Sequence, residues 1–377
     1  MLDPIYLDYN ATAPVRPAVA RAMAESLGRV GNASSLHRFG REARAAVEGA
    51  RGEVAALVGA APEEVHFTAG GTEADNWALT GFGARRLLVS AGEHEAVLEA
   101  APQAERIPLT GGGLVDLAAL ERLLAASDAP ALVSVQAANN ETGALQPLPE
   151  VAALARRHGA LLHSDAVQAA GKTPLDRAAL GLDLVSLSAH KLGGPQGVGA
   201  LVVRAGLELA PLLRGGGQER RRRAGTENVA GIVGFGLAAR LAAAELADMA
   251  ARAAWRDAFE AGLRARFPEA VVFAAAAPRL PNTSCFALPG RSAETLLIAL
   301  DLAGVALSSG SACSSGKIAP SHVLAAMGVP ETLARSALRL SFGWASRRED
   351  LEACLAALAK QAGSRQNGAG SKQRIIA

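Results

Sequence analysis

Five short apolar runs, Arg86–Ser90, Ala131–Val135, Ala160–His163, Leu184–Leu187 and Gly199–Val203, alternate with amphipathic stretches such as Leu117–Ala126 and Pro149–His158. The runs are too short for helices and are bounded by Gly, Asp, Asn or Pro, so they predict strands. Strands alternating with helical stretches predict an α/β fold with a mainly parallel central sheet flanked by helices. Each of the first four runs is followed directly by a polar cluster: Glu93-His94, Asn139-Asn140-Glu141, Asp165 with Gln168, and Ser188-Ala189-His190-Lys191. Parallel α/β sheets bind ligands outside the carboxyl ends of their strands. One such cluster could simply begin a loop. Four in succession predict a crevice.

The chain has 377 residues and a formal net charge of +2. That length suggests two domains, or one large α/β domain with an appendage. We place a large domain at 14–250, and a smaller α/β C-terminal domain in 1–13 and 251–362. The Ala-, Leu- and Arg-rich stretch Asn228–Arg266 would connect them. A helical segment runs from Arg348 to about Ala362, and the Gly/Ser/Gln-rich tail 363–377 reads as disordered. The near-neutral charge argues against nucleic acid or an acidic membrane surface as partner. No uncharged apolar run approaches the roughly 20 residues of a membrane span. The start of the chain is neither basic nor followed by an apolar stretch, so a cytoplasmic setting is expected. Cys285, Cys313 and Cys354 are too few and too scattered for a disulfide framework, and the 7 histidines show no metal-ligand spacing with them.

Lys191 ends an apolar run and precedes Leu192-Gly193-Gly194-Pro195. A lysine so placed has a buried stem and an amine in the crevice, where desolvation makes it nucleophilic enough to form a Schiff base. A surface lysine in a Gly-rich loop is the plain alternative. Asp165, one βα crossover earlier, favours the first reading. Pyridoxal phosphate needs a lysine for its aldehyde, and many of its enzymes use an acid to keep the pyridine nitrogen protonated. Thr68-Ala69-Gly70-Gly71-Thr72-Glu73 suits the phosphate, because two glycines open a helix N-terminus to an anion. A simple helix cap is the alternative there. Ser188 and His190 would add donors. Cys313 sits within Ser308-Ser309-Gly310-Ser311-Ala312-Cys313-Ser314-Ser315-Gly316, a composition expected of an exposed, moving loop that carries a nucleophile. Arg339, alone in the run Leu338–Phe342, is costly unless paired, and a substrate carboxylate is a natural partner. The four arginines 220–223 predict a solvated or subunit-interface face.

Assembled, these motifs resemble the pyridoxal-phosphate-dependent cysteine desulfurases of the NifS/IscS group, within the class V aminotransferases. The resemblance runs from about Tyr6 to about Leu358. It rests on Tyr6–Val15 (YLDYNATAPV), Gly31–Gly40 (GNASSLHRFG), Phe67–Asn76 (FTAGGTEADN), Asn139–Gly143 (NNETG), His163–Lys172 (HSDAVQAAGK), Ser186–Gly199 (SLSAHKLGGPQGVG), Gly215–Asn228 and Ser308–Leu324.

The resemblance implies fold type I of the pyridoxal-phosphate enzymes. It implies that Lys191 holds the cofactor's aldehyde, Asp165 pairs with the ring nitrogen, Gln168 contacts the phenolic oxygen and His94 stacks on the ring. Gly71, Thr72, Ser188 and His190 would bind the phosphate, joined by Thr226 from the second subunit of a homodimer. Asn140 and Arg339 would hold the carboxylate of L-cysteine. Cys313 would accept the sulfur as a persulfide, with His94 carrying a proton for the thiol, and alanine would be released. The long Ser-rich loop resembles the group that serves iron–sulfur cluster assembly, with a scaffold protein as sulfur acceptor and Cys313 able to ligate a nascent cluster transiently. The tail past Ala362 departs from the scaffold-docking C-terminus of the housekeeping members. A class V aminotransferase or a selenocysteine lyase would use the same Lys191 and Asp165 without needing Cys313.

Overall fold

The computed structural model describes residues 4–83, 85–309 and 321–363. Among these the strands are, in chain order, β1 Ile5–Tyr6, β2 Val65–Thr68, β3 Arg86–Ser90, β4 Glu105–Ile107, β5 Ala131–Ser134, β6 Leu161–Asp165, β7 Leu184–Ser188, β8 Gly199–Val203, β9 Val271–Val272, β10 Thr283–Ala287, β11 Val305–Ala306, β12 Ser308–Ser309 and β13 Ala337–Ser341. A seven-stranded sheet has the order β2-β8-β7-β6-β5-β3-β4. The contiguous run from β4 to β7 is parallel, whereas β8 is antiparallel to both neighbours. Only residues 189–198 separate β7 from β8, too few for a helical crossover, so the chain must turn straight back. That tight return carries Lys191. Among the five strands read from the sequence, β8 is the one that runs against the parallel pattern.

Alternate residues of these strands feed opposite cores, as the pleat requires. Val133, Leu162 and Val185 join one apolar cluster with Val47, Val54 and Phe235 from the helices Arg38–Leu57 and Val229–Ala244. Leu132, Leu161 and Leu184 join another on the far face, with Trp77 of the helix Gly71–Thr80. The sheet is therefore covered on both sides, and its strand ends form the accessible edge.

The connecting stretch Asn228–Arg266 forms three helices, Val229–Ala244, Leu246–Ala251 and Ala253–Arg266, with the chain bent by 58° between the first and the rest. The first packs on the large sheet, while Phe259 and Leu263 of the last enter a separate core with Phe286, Leu338, Leu340 and Leu358. That core covers an antiparallel sheet of order β12-β13-β10-β9. The N-terminal strand β1 pairs in parallel with β11, so the first residues lie beside the C-terminal part of the chain. Among the described residues no single helix is long and apolar enough to cross a membrane.

Candidate active site

A cavity of about 480 Å³ opens at the carboxyl ends of the parallel strands. His94 reaches it from the segment after β3, Asn140 from that after β5, and Asp165 and Gln168 from the end of β6. Ser188, His190 and Lys191 reach it from the end of β7, and Gly71 and Thr72 from the start of the helix Gly71–Thr80. The adjacent parallel pairing of β6 and β7, with Asp165 opposite Ser186, explains why Asp165 and Lys191 share one wall.

Lys191 Nζ donates to the backbone carbonyls of Asn10 and Ala11, the latter at 2.7 Å. Burial pushes this amine down to about 8, helped by Arg339 and opposed by Asp165 and Asp8. Asp165 is buried, and its Oδ1 accepts the Val167 N–H at 2.9 Å. Burial raises its pKa, while the Val167 N–H and then the charges of His94 and Lys191 oppose the rise. A second positive group against this carboxyl would favour its ionised form in the same way.

The neighbouring cleft is shaped for an anion. The helix Gly71–Thr80 follows Gly70 with no side chain capping it, unlike Leu117–Ala125, which Asp116 caps. Its first N–H groups therefore face the cleft lined by Thr72, Ser188 and His190 without a competing side chain. A Cβ on Gly71 would lie 2.9 Å from Val167 Cγ2, so only glycine leaves this floor undisturbed. His190 lies 3.2 Å from Thr12 Oγ1 through Nδ1, and burial pushes its pKa down to about 4, which keeps the ring neutral. His94 caps the next short helix: its Nδ1 accepts the Ala96 N–H at 3.1 Å. The neutral imidazole must then carry its proton on Nε2.

Arg339 departs from expectation. It is buried on β13, and the protein itself supplies partners: Nη2 donates to Asp8 Oδ1 at 2.7 Å and Nη1 to the Asn140 carbonyl at 3.0 Å. The burial cost inferred from the apolar run is offset largely by Asp8, a residue to which the sequence gives no visible link. Nε is left with no hydrogen-bond partner. Thr226 is exposed and does not line this cavity. The arginine run before it is more than a solvated face. Arg220 donates to the Glu63 carbonyl, Arg222 meets His66 and Arg223 pairs with Glu73. Glu219, Arg220 and Arg221 have φ of 44, 56 and 64°, a left-handed turn that costs about 1–2 kcal/mol per residue. The buried ion pair of Glu219 with Arg51 anchors it. Cys313 lies outside the described residues, as do residues 364–377 of the tail. Ser308, just before that segment, lines the cavity.

Several site residues were not foreseen. Asp8 and Asn10 come from the N-terminal segment, and Lys172 lies behind Gln168. Asp75 is a further buried carboxyl pushed well up by burial; Glu93, from the polar cluster after β3, is shifted the same way, and Asp165 adds to the rise of both. Asn10 and Lys172 stand inside quoted motifs, but nothing in residue type or spacing gave them a task. His163, in the motif containing Asp165, is by contrast a satisfied core residue. Its two ring nitrogens lie 2.9 Å from Ser134 Oγ and Ser186 Oγ.

The family model described as aminotransferase class-V matches residues 5–354. A cysteine desulfurase of Gluconacetobacter diazotrophicus is 44% identical over 370 residues, covering 94% of this chain and 92% of that protein. A cysteine desulfurase of Cereibacter sphaeroides is 45% identical over 364 residues, covering 92% of this chain and 93% of its own. The X-ray structure of a NifS-like protein from Rickettsia africae superposes with a TM-score of 0.90 at 35% identity, covering 96% of this chain and 99% of that one. The chain belongs to the class V aminotransferase family, among its cysteine desulfurases of the NifS/IscS group.

Proposed function

We propose that this protein converts L-cysteine to L-alanine, placing the sulfur on Cys313 as a persulfide and passing it to an acceptor protein. The observation that carries this reading is the pairing of Lys191 and Asp165 on adjacent strand ends beside an uncapped helix N-terminus. The family depends on pyridoxal phosphate, and these residues fit that group: a depressed lysine amine, a buried acid and a glycine-floored anion cleft. Lys191 would hold the aldehyde, Asp165 the ring nitrogen, Gln168 the phenolic oxygen, and Gly71, Thr72, Ser188 and His190 the phosphate, with His94 against the ring. When bound, the cofactor supplies an electron sink for negative charge at the substrate Cα.

The chain's own groups do the rest. Lys191, pushed down to about 8, is a base for the Cα proton near neutral pH. Arg339 and Asn140 would orient the substrate carboxylate. His94 offers the Nε2 proton of its fixed tautomer as a carrier for the thiol. The Cys313 thiolate attacks the substrate sulfur, so an S–S bond forms as the substrate C–S bond breaks, and returning protons complete alanine. Cysteine and a thiol become alanine and a persulfide, and no external oxidant is required.

The functional unit would be a homodimer: Thr226 is exposed, as a donor to a neighbour's phosphate must be, and Leu27, Val30, Leu36 and Phe39 are exposed apolar side chains. The acceptor of the sulfur would be a scaffold for iron–sulfur clusters. The direct experiment supplies L-cysteine to cofactor-loaded protein with a thiol reductant and measures alanine and sulfide together. Equal amounts are expected. Lys191→Ala should lose the cofactor's visible absorbance and at least about 10³-fold in alanine formation. Full turnover by Lys191→Ala would overturn the reading.

A further inference from the structure

Lys172 stands four residues after Gln168, beyond the end of β6, and is only 5% exposed. Its Nζ donates to Gln168 Oε1 at 2.7 Å and to Asn10 Oδ1 at 3.1 Å. Both acceptors are neutral amide oxygens, an unusual environment for a buried amine. Burial pushes its pKa well below the usual lysine range, with Lys191 and Arg339 adding to the effect.

The surrounding bonds leave each amide one orientation. Asn10 Nδ2 is committed to the Asn140 carbonyl at 3.1 Å and to Thr283 Oγ1 at 2.9 Å, so Asn10 must turn its oxygen to Lys172. Gln168 Nε2 donates to the Asn10 carbonyl at 2.9 Å, so Gln168 must also present its oxygen to Lys172. The same Asn10 carbonyl receives Lys191 Nζ. Lys172 is thus the common donor to the two amides that border the active-site lysine. Without it, Gln168 Oε1 would be a buried acceptor lacking its partner, and the amide would be held only through Nε2 on the Asn10 carbonyl, free to tilt from its present position.

We propose that Lys172 is a positioning residue that fixes Gln168 with its NH₂ group, not its oxygen, toward the cofactor cavity, and ties Asn10 to the same point. This inference rests on the proposed binding of pyridoxal phosphate beside Lys191. A fixed donor at Gln168 favours the anionic form of an oxygen on the bound ring and weakens that oxygen's hold on a nearby proton. Loss of Lys172 releases the amide, and the proton is held to higher pH.

The test is a pH titration of the cofactor's visible absorbance in the loaded protein without substrate. Lys172→Met should move the midpoint upward by about one pH unit, a tenfold change in protonation and the size of one net hydrogen bond. In a Gln168→Ala background the same substitution should add little, because its route of action is gone. Lys172→Gln, too short to reach both acceptors, should repeat the upward shift and serves if Lys172→Met does not fold. A purely structural lysine would lower the melting temperature in both backgrounds and leave the midpoint in place. An unchanged midpoint in loaded Lys172→Met or Lys172→Gln, or an equal shift with and without Gln168, overturns the inference alone. A wild-type protein that takes up no pyridoxal phosphate overturns the proposed function as well.

Discussion

In the seven-stranded sheet, β3, β5, β6 and β7 run parallel and each ends in a polar segment that meets the cavity. In the four-stranded antiparallel sheet, one buried cation reaches the cavity from the middle of a strand. Leu338 and Leu340 of β13 turn into the apolar core, and Arg339 turns the other way to meet Asp8 and the Asn140 carbonyl. Parallel strands deliver several groups to one edge at no packing cost, because strand ends are where the chain leaves the core anyway. A mid-strand arginine must be compensated by the protein itself. The first region therefore supplies chemistry, and the second supplies a cation already held in place by an internal carboxylate.

The contrast makes Arg339 the place to break the account. Arg339→Gln keeps a polar side chain but removes the charge, and the KM for L-cysteine should rise by tens of fold, with a smaller fall in kcat, as expected for a charge-assisted bond to the substrate. Steady-state kinetics across a range of cysteine concentrations checks this. A fall in kcat at unchanged KM would place Arg339 with the chemistry and erase the distinction between the two regions.

A smaller effect sharpens the link between the regions. Asp8 pairs with Arg339 and also raises the Lys191 pKa, so Asp8→Asn should lower it from about 8. The rate at which cofactor-free protein takes up pyridoxal phosphate follows the free amine, so its pH midpoint should fall in Asp8→Asn. A midpoint that stays put or rises would show that Asp8 does not act on Lys191.

The smallest expected effect concerns stability where the two regions touch. Glu141, buried after β5, accepts the Ser321 hydroxyl, and burial pushes its pKa up to about 7. A carboxyl whose folded pKa is raised holds its proton in the folded state, so its contribution favours folding below its unfolded value of about 4.3 and is lost as pH rises through about 7. Glu141→Gln should flatten the decline in melting temperature between pH 5 and pH 8 of the scan (about that range), with the variant gaining most at the alkaline end. An identical pH profile for variant and wild type would contradict this.

Legibility followed the same divide. Lys191, Asp165, His94 and Ser188 could be read because a parallel strand and its polar end are contiguous in sequence, so local pattern and spatial position coincide. The reversal at β8 was hidden because β8 has the same apolar composition as its parallel neighbours. Asp8 and Asn10 are invisible as site residues because long-range tertiary contacts bring them in: β1 pairs with β11, Asp8 bridges to Ser341 and the Asn10 N–H donates to Ser341 Oγ. Lys172 looked like the end of a motif, since its partner Asn10 lies far away along the chain. The apolar run around Arg339 shows that the guanidinium needs a partner, but such a run cannot say whether that partner is a ligand or the protein.

The central claim, that Lys191 chemistry is completed by sulfur capture on Cys313, is tested most directly by mass spectrometry of the loaded protein after L-cysteine without reductant. Cys285 and Cys354 are fully buried, with the Cys354 thiol pushed up to about 12 and that of Cys285 raised further, both by burial. Neither thiol is poised to react. The account predicts one added sulfur on the peptide containing Cys313, matched by alanine, and cofactor retention without alanine formation in Cys313→Ala. Added sulfur on Cys285 or Cys354 but not on Cys313, or wild-type alanine formation by Cys313→Ala, would contradict it.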